Sequence, residues 1–197
     1  MFFISCEEKK DIIEIYLTKR QIENFDGVSL KVGIKDSSKI KRIIERFGSN
    51  TRIDTINDKL IYMGHFNSKQ NDLQDEPFIN DSEIIGIDFE NSQIHFKKSV
   101  TENIYNSIPN WRKDNNIGKQ FVLCHNKKII LNGYFLGSMS SVWSNTYQIL
   151  YHNYPDDKRK NNKESVMFSI HDSINFEKNN LKKNKELYNA FRNRLVH

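Results

Sequence analysis

Residues 84–97 constrain the chain more than any other stretch. Ile85, Ile87 and Phe89 alternate with Gly86, Asp88 and Glu90, and beyond Asn91-Ser92 the alternation resumes with Ile94 and Phe96 against Gln93, His95 and Lys97. Successive strand side chains point to opposite faces, so this pattern predicts a half-buried β-hairpin turning at an Asn-containing pair. Ser99 and Glu102 follow in capping-box spacing, where each side chain satisfies a free backbone N–H of a first helical turn. Val100, Ile104 and Ile108 then share one helical face, and Pro109 ends the helix. Phe121-Val122-Leu123-Cys124 and Ile129-Ile130-Leu131 flank the polar turn His125-Asn126-Lys127-Lys128. Apolar runs on both sides of a polar turn predict a second hairpin covered on both faces. Residues 76–135 thus read as scaffold: hairpin, capped helix, hairpin.

The flanks are built around it. In residues 11–18, Ile13, Ile15 and Leu17 mark one face of a strand. Asp26-Gly27 signals a turn into an extended segment, residues 28–34. Ile40, Ile43, Ile44 and Phe47 form a helical stripe between Ser37 and Gly48, and residues 53–66 read as two strands around Asn57-Asp58. Past the scaffold, residues 147–152 alternate as a strand that pairs most simply with residues 166–170. Leu181, Tyr188, Phe191 and Leu195 mark an amphipathic C-terminal helix. Strands outnumber helices. The expectation is an α+β fold, a largely antiparallel sheet with two or three helices packed on one face. Residues 11–197 form a single domain, with a first subregion at 11–75 and the core at 76–197, preceded by a tether at 1–10.

Composition bounds the function classes. The net charge of +5 comes from 30 Lys and Arg against 25 Asp and Glu, spread along the chain. The most charged run, residues 156–164, mixes both signs and reads as a solvated loop, so no nucleic-acid partner is expected. The mean hydropathy of -0.69 is low, yet 13 Phe, 8 Tyr and 2 Trp supply core material. Two cysteines, Cys6 and Cys124, provide neither metal spacing nor a disulfide framework.

The residues do not predict catalysis. Cys124 and His125 are strand neighbours and point to opposite faces, so they form no nucleophile–base pair, and Cys124 reads as a small core residue. The histidines lack metal-ligand spacing, and the carboxylates Asp72, Asp75, Glu76, Asp81 and Glu83 read as a solvated acidic loop. No metal, cofactor or enzymatic activity is expected. The most interface-like residues are Trp111, Tyr134, Trp143 and Tyr147, because aromatic anchors dominate many binding surfaces.

Two resemblances add an address. Phe2-Phe3-Ile4, then the small Ser5, Cys6 and the charged Glu7-Glu8-Lys9-Lys10 resemble the end of a bacterial lipoprotein signal. This implies lipidation at Cys6 and a location in the cell envelope, with the membrane as a partner through the lipid. The whole chain resembles the small uncharacterised lipoproteins of Bacteroidetes-type bacteria. Glu76-Pro77-Phe78-Ile79 with Asp81-Ser82-Glu83-Ile84, and residues 121–131 around Asn126-Lys127-Lys128, are similar to the periplasmic head of the SecD translocation accessory protein. That likeness spans residues 76–135 and implies an extracytoplasmic α+β module. The expected function is a non-enzymatic envelope lipoprotein binding a protein or peptide. The alternative is a cytosolic immunity- or inhibitor-type interaction protein.

Overall fold

The structure, a computed structural model, describes residues 11–26, 28–31, 38, 41–42, 52–54, 59–100, 103–104, 119–137, 144–151, 165–171 and 181–196. Its frame is a curled seven-stranded sheet in the order β1, β7, β8, β9, β10, β6, β5. These strands are β1 (Ile13–Leu17), β5 (Ile84–Asp88), β6 (Gln93–Lys97), β7 (Lys119–His125), β8 (Lys128–Gly137), β9 (Tyr147–Tyr151) and β10 (Ser165–His171). A three-stranded antiparallel sheet holds β2 (Val28–Lys31), β4 (Lys59–Tyr62) and β3 (Arg52–Asp54) in that order.

Both expected hairpins form. β5 pairs antiparallel with β6, and Asp88 organises the turn by accepting from the backbone N–H of Glu90 (2.8 Å) and Asn91 (2.9 Å). Burial opposes its ionisation, but these bonds and the Asn91 side-chain amide hold its carboxyl below the ordinary value. The alternation slips at the strand entry. A register shift between Ile84 and Gly86 turns Ile84 inward and leaves Ile85 39% exposed, so Ile84 rather than Ile85 joins the core. β7 and β8 turn through Asn126 and Lys127, both with positive φ (50° and 65°). Two such residues give the turn a twist that matches the flanking strands.

The expected cover of two or three helices on one face is not found among the described residues, and the sheet, antiparallel at five of its six pairings, is not wholly so. It is mixed: β8 and β9 run parallel, from Gly133 opposite Tyr147 to Gly137 opposite Tyr151. Gly133 permits this approach, since a Cβ there would meet the Tyr147 carbonyl and stand 2.7 Å from Phe121 Cζ. The helical content is also smaller than expected. Among the described residues the one complete α-helix is α1 (Lys185–Phe191), although residues 99–100 and 103–104 are helical and bury Val100 and Ile104. The side chain of Asn184 caps α1 by accepting from Leu187 N at 3.0 Å. Leu187, Ala190 and Phe191 form its buried face, while Tyr188 is 39% exposed and Leu195 lies past its end. Strand pairing supplies most of the order because α1 has only 7 residues, too few to stabilise itself without tertiary packing.

Each face of the sheet carries its own core. Inside the curl, Ile13, Ile15, Phe96, Phe121, Leu123, Phe135, Ile149 and Phe191 pack with Val100 and Ile104. Phe135 lies at its centre, 4.9 Å from the Phe121 ring and 5.9 Å from that of Phe78. On the outer face of β7 and β8, Val122, Cys124, Tyr134 and Leu136 pack with Met63, Phe66 and Leu73. That second cover explains why β7 is apolar on both faces, as its sequence predicts.

The curl is held shut at one seam. Backbone bonds from Phe78 and Ile79 cover the outer edge of β1 at Ile15. Past the 3-10 turn Asp81–Glu83 the chain becomes β5, the opposite edge strand. Asp81 Oδ1 accepts from Ile13 N at 2.8 Å and from Arg194 Nη2 at 2.6 Å. Arg194 also donates to the carbonyls of Asp11 (3.0 Å), Asp81 (3.2 Å) and Ile84 (3.3 Å). One guanidinium therefore ties β1, the turn before β5 and β5 itself together.

Candidate functional site

The outer cover of β7 and β8 positions the candidate site. Gln120, on β7, is 2% exposed. Its side-chain amide acts like a strand peptide: Oε1 accepts from Ile22 N at 2.7 Å, and Nε2 donates to Ile22 O at 2.8 Å. It also donates to the Tyr134 hydroxyl at 3.3 Å, which donates to Gly64 O at 3.1 Å. Phe66 packs edge-on against the Tyr134 ring at 5.4 Å. Two chain segments, residues 22–26 and 63–66, are thus pinned side by side on the sheet.

Where these segments meet, Phe25, Asp26 and His65 form an exposed cluster. Phe25 N donates to His65 O at 3.0 Å, and His65 N donates to Asp26 Oδ1 at 2.6 Å. Both carboxylate oxygens of Asp26 stand 2.8 Å from His65 Nδ1, with both side chains about half exposed. The carboxylate makes Nδ1 the protonated nitrogen and fixes the ring orientation. The Phe25 ring stacks on the imidazole at 6.1 Å, with the planes 20° apart, and Phe25 remains 56% exposed. The cluster presents a fixed apolar plate beside an oriented polar ring.

Of the residues expected to line a binding surface, Trp111 and Trp143 lie outside the described residues, as does Cys6. Tyr134 and Tyr147 do not share a surface. Gly133 pairs with Tyr147 and Tyr134 with Gln148, so alternation sends the two tyrosines to opposite faces. Tyr134 is fully buried, and burial pushes its phenol up to about 12. Tyr147 is half-buried against the inner core, and its hydroxyl accepts from Asn184 Nδ2 at 2.8 Å. An expected interface of all four aromatics is therefore incorrect for Tyr134: its hydroxyl serves the outer core.

Cys124 is 1% exposed in the outer core, and burial, followed by the Glu14 charge, raises its thiol to about 11. It is the small core residue that its strand position predicts. His125 points elsewhere, with Nε2 at 3.3 Å from Asp11 Oδ1. That bond is the main reason why the Asp11 carboxyl lies below its ordinary value, with partial burial opposing it. The acidic residues of 72–83 do not converge: Asp72 caps Lys69 N, Asp75 pairs with Lys19, Glu83 accepts from Asn80 N, and Asp81 holds the seam. Among the described residues no three His, Cys, Asp or Glu side chains are placed to hold a metal ion.

Phe25 was missed by sequence reasoning, although a bulky aromatic immediately before the Asp26-Gly27 turn was an available signal. His65 lies 39 residues from Asp26, and no local pattern links them. Comparison with protein-family models, with curated proteins and with solved structures yields no match.

Proposed function

We propose that this chain is a non-enzymatic protein- or peptide-binding domain and that the Phe25, Asp26 and His65 cluster is its contact surface. Phe25 carries the reading. It is an aromatic anchor whose backbone is bonded to His65 and whose ring already rests on an oriented imidazole. A preorganised anchor loses little rotamer freedom on binding, and anchors of this kind supply a large share of interface energy. Capture from native lysate with wild type and with Phe25→Asp tests this. A stoichiometric partner held by wild type, lost on Phe25→Asp and recovered by Phe25→Tyr is the expected result. A partner held equally by wild type and Phe25→Asp rules the surface out. Because Phe25 is more than half exposed, the variant's stability is expected to stay within about 0.5 kcal/mol of wild type.

We assign the domain to the cell envelope, anchored through an acylated Cys6, on the sequence around that cysteine. The polar residues 7–10 then serve as a short tether from the membrane surface. Cells expressing the gene with its natural upstream region, fed a fatty-acid analogue, are expected to label the wild-type chain and not Cys6→Ser. No label on either chain sinks the anchor. Together with a soluble stoichiometric complex, that outcome favours the alternative, a cytosolic immunity- or inhibitor-type protein.

A further inference from the structure

We propose that the Phe25, Asp26 and His65 cluster reads an arginine side chain of its partner: the guanidinium lies against the Phe25 ring and donates to the Asp26 carboxylate and to His65 Nε2. The inference rests on the binding role proposed above and names the chemistry that the surface selects.

The outward groups of the cluster are acceptors. His65 turns two donors onto Asp26: its backbone N–H reaches Oδ1 at 2.6 Å, and its Nδ1 stands 2.8 Å from both carboxylate oxygens. With the proton on Nδ1, the neutral form of the imidazole keeps a lone pair on Nε2, and no described residue bonds to that atom. A carboxylate has about four lone-pair positions, so two N–H donors leave it able to accept more. The His65 and Asp26 side chains are 47% and 46% exposed, so both acceptors are within reach of a partner.

The surface is also negative. A neutral imidazole leaves the Asp26 charge uncompensated. That charge is felt in the outer core, where, behind burial and against the Gln120 hydrogen bond, it adds to the rise of the Tyr134 phenol to about 12. Beside it stands an aromatic plate. The Phe25 ring stacks on the imidazole with the planes 20° apart, its backbone N–H is bonded to His65 O, and the residue stays 56% exposed.

Arginine matches all of these groups together. Its guanidinium is planar, always charged and donor-only; it forks onto carboxylates and stacks on aromatic faces. Lysine brings a charge without a plane. Tryptophan brings a plane with one donor and no charge, which leaves the Asp26 carboxylate without a counter-charge.

A chemical-shift titration of the isotope-labelled full chain with N-acetyl-arginine amide tests this, beside the corresponding amides of citrulline, lysine and tryptophan. Citrulline keeps the length and the plane of arginine and loses its charge. Saturable shifts at Phe25, Asp26 and His65 are expected for the arginine amide, with a dissociation constant on the order of 1–10 mM for so small a ligand. The other three amides are expected to bind about tenfold more weakly, as for a lost charge-assisted hydrogen bond. Asp26→Asn keeps an acceptor for the His65 N–H and is expected to weaken the arginine amide by a similar factor of about ten. Phe25→Ala, which removes the plate and neither acceptor, is expected to weaken it as well. The absence of a saturable shift with the arginine amide overturns the proposal. So does equal binding of any of the other three amides, or unchanged arginine binding in Asp26→Asn and Phe25→Ala. A lysate partner that is lost on Phe25→Asp while the arginine amide fails to bind removes the arginine reading and leaves the contact surface standing. A partner held equally by wild type and Phe25→Asp removes both.

Discussion

Arg194→Ala is expected to lower unfolding free energy by about 2–4 kcal/mol, as for the loss of one partner from a largely buried, hydrogen-bonded ion pair. The side chains of Arg194 and Asp81 are 22% and 20% exposed, so solvent replaces the lost bonds poorly. Truncation leaves the Asp81 carboxylate with Ile13 N and deprives the carbonyls of Asp11, Asp81 and Ile84 of their shared donor. Arg194→Lys keeps the charge but cannot reproduce the planar fork that reaches several acceptors together, so it is expected to recover only part of the loss. Urea titration of the three chains measures this, and the thermal midpoint of Arg194→Ala is expected to fall by about 4–16 °C for a chain of this size. A change below about 0.5 kcal/mol, the range of ordinary surface substitutions, contradicts a closing role for the clasp.

The second large effect is alkaline. Burial raises Tyr134 from an ordinary value of 10.0 to about 12, with the Gln120 hydrogen bond opposing it and the Asp26 carboxylate adding to it. Tyr16 is raised to about 12 by burial and by its bond to Glu14, and Cys124 to about 11. In each case the folded state holds its proton more tightly than the unfolded chain does. The stability they contribute is therefore fully present below the unfolded values, near pH 9 for the thiol and pH 10 for the phenols. It is lost as pH rises through the folded values near 11 and 12. For Tyr134 the two-unit shift corresponds to about 2–3 kcal/mol between pH 10 and 12. Tyr134→Phe is expected to cost about 1 kcal/mol at pH 8 through the lost bond to Gly64 O, and to flatten the alkaline decline. Urea midpoints at pH 8 and pH 11.5 decide the matter. An equal decline in wild type and Tyr134→Phe refutes it.

What the sequence discloses is what local chemistry determines. The β5–β6 and β7–β8 hairpins are legible because alternation and turn residues lie within a few positions of one another. The inward face of β1 is legible for the same reason, as is the antiparallel pairing of β9 with β10. The parallel union of β8 and β9 is not, since it depends on Gly133 admitting the Tyr147 backbone beside Phe121. β1 pairs with β7 across more than a hundred positions, and no local pattern fixes that register. The apolar runs of β7 and β8 suggest cover on both faces but cannot name residues 22–26 and 63–66 as that cover. The same limit hid the candidate site. Phe25 gains its neighbour only when Gln120 and Tyr134 draw the two segments together.

The seam has a consequence for the order in which the molecule can be made. A single hydrogen bond from Arg194 to the Asp11 carbonyl joins residues 183 positions apart. Synthesis runs from the amino end, so the start of β1 waits for a residue made 183 positions after Asp11 before the clasp seals it. Until β7 is made β1 lacks its partner in the sheet, and until Arg194 is made it lacks the clasp. Closing so long a loop carries its entropy cost before any of these contacts repays it. The emerging chain therefore carries β1 without its strand partner for more than a hundred residues of elongation, and the clasp closes only when Arg194 follows.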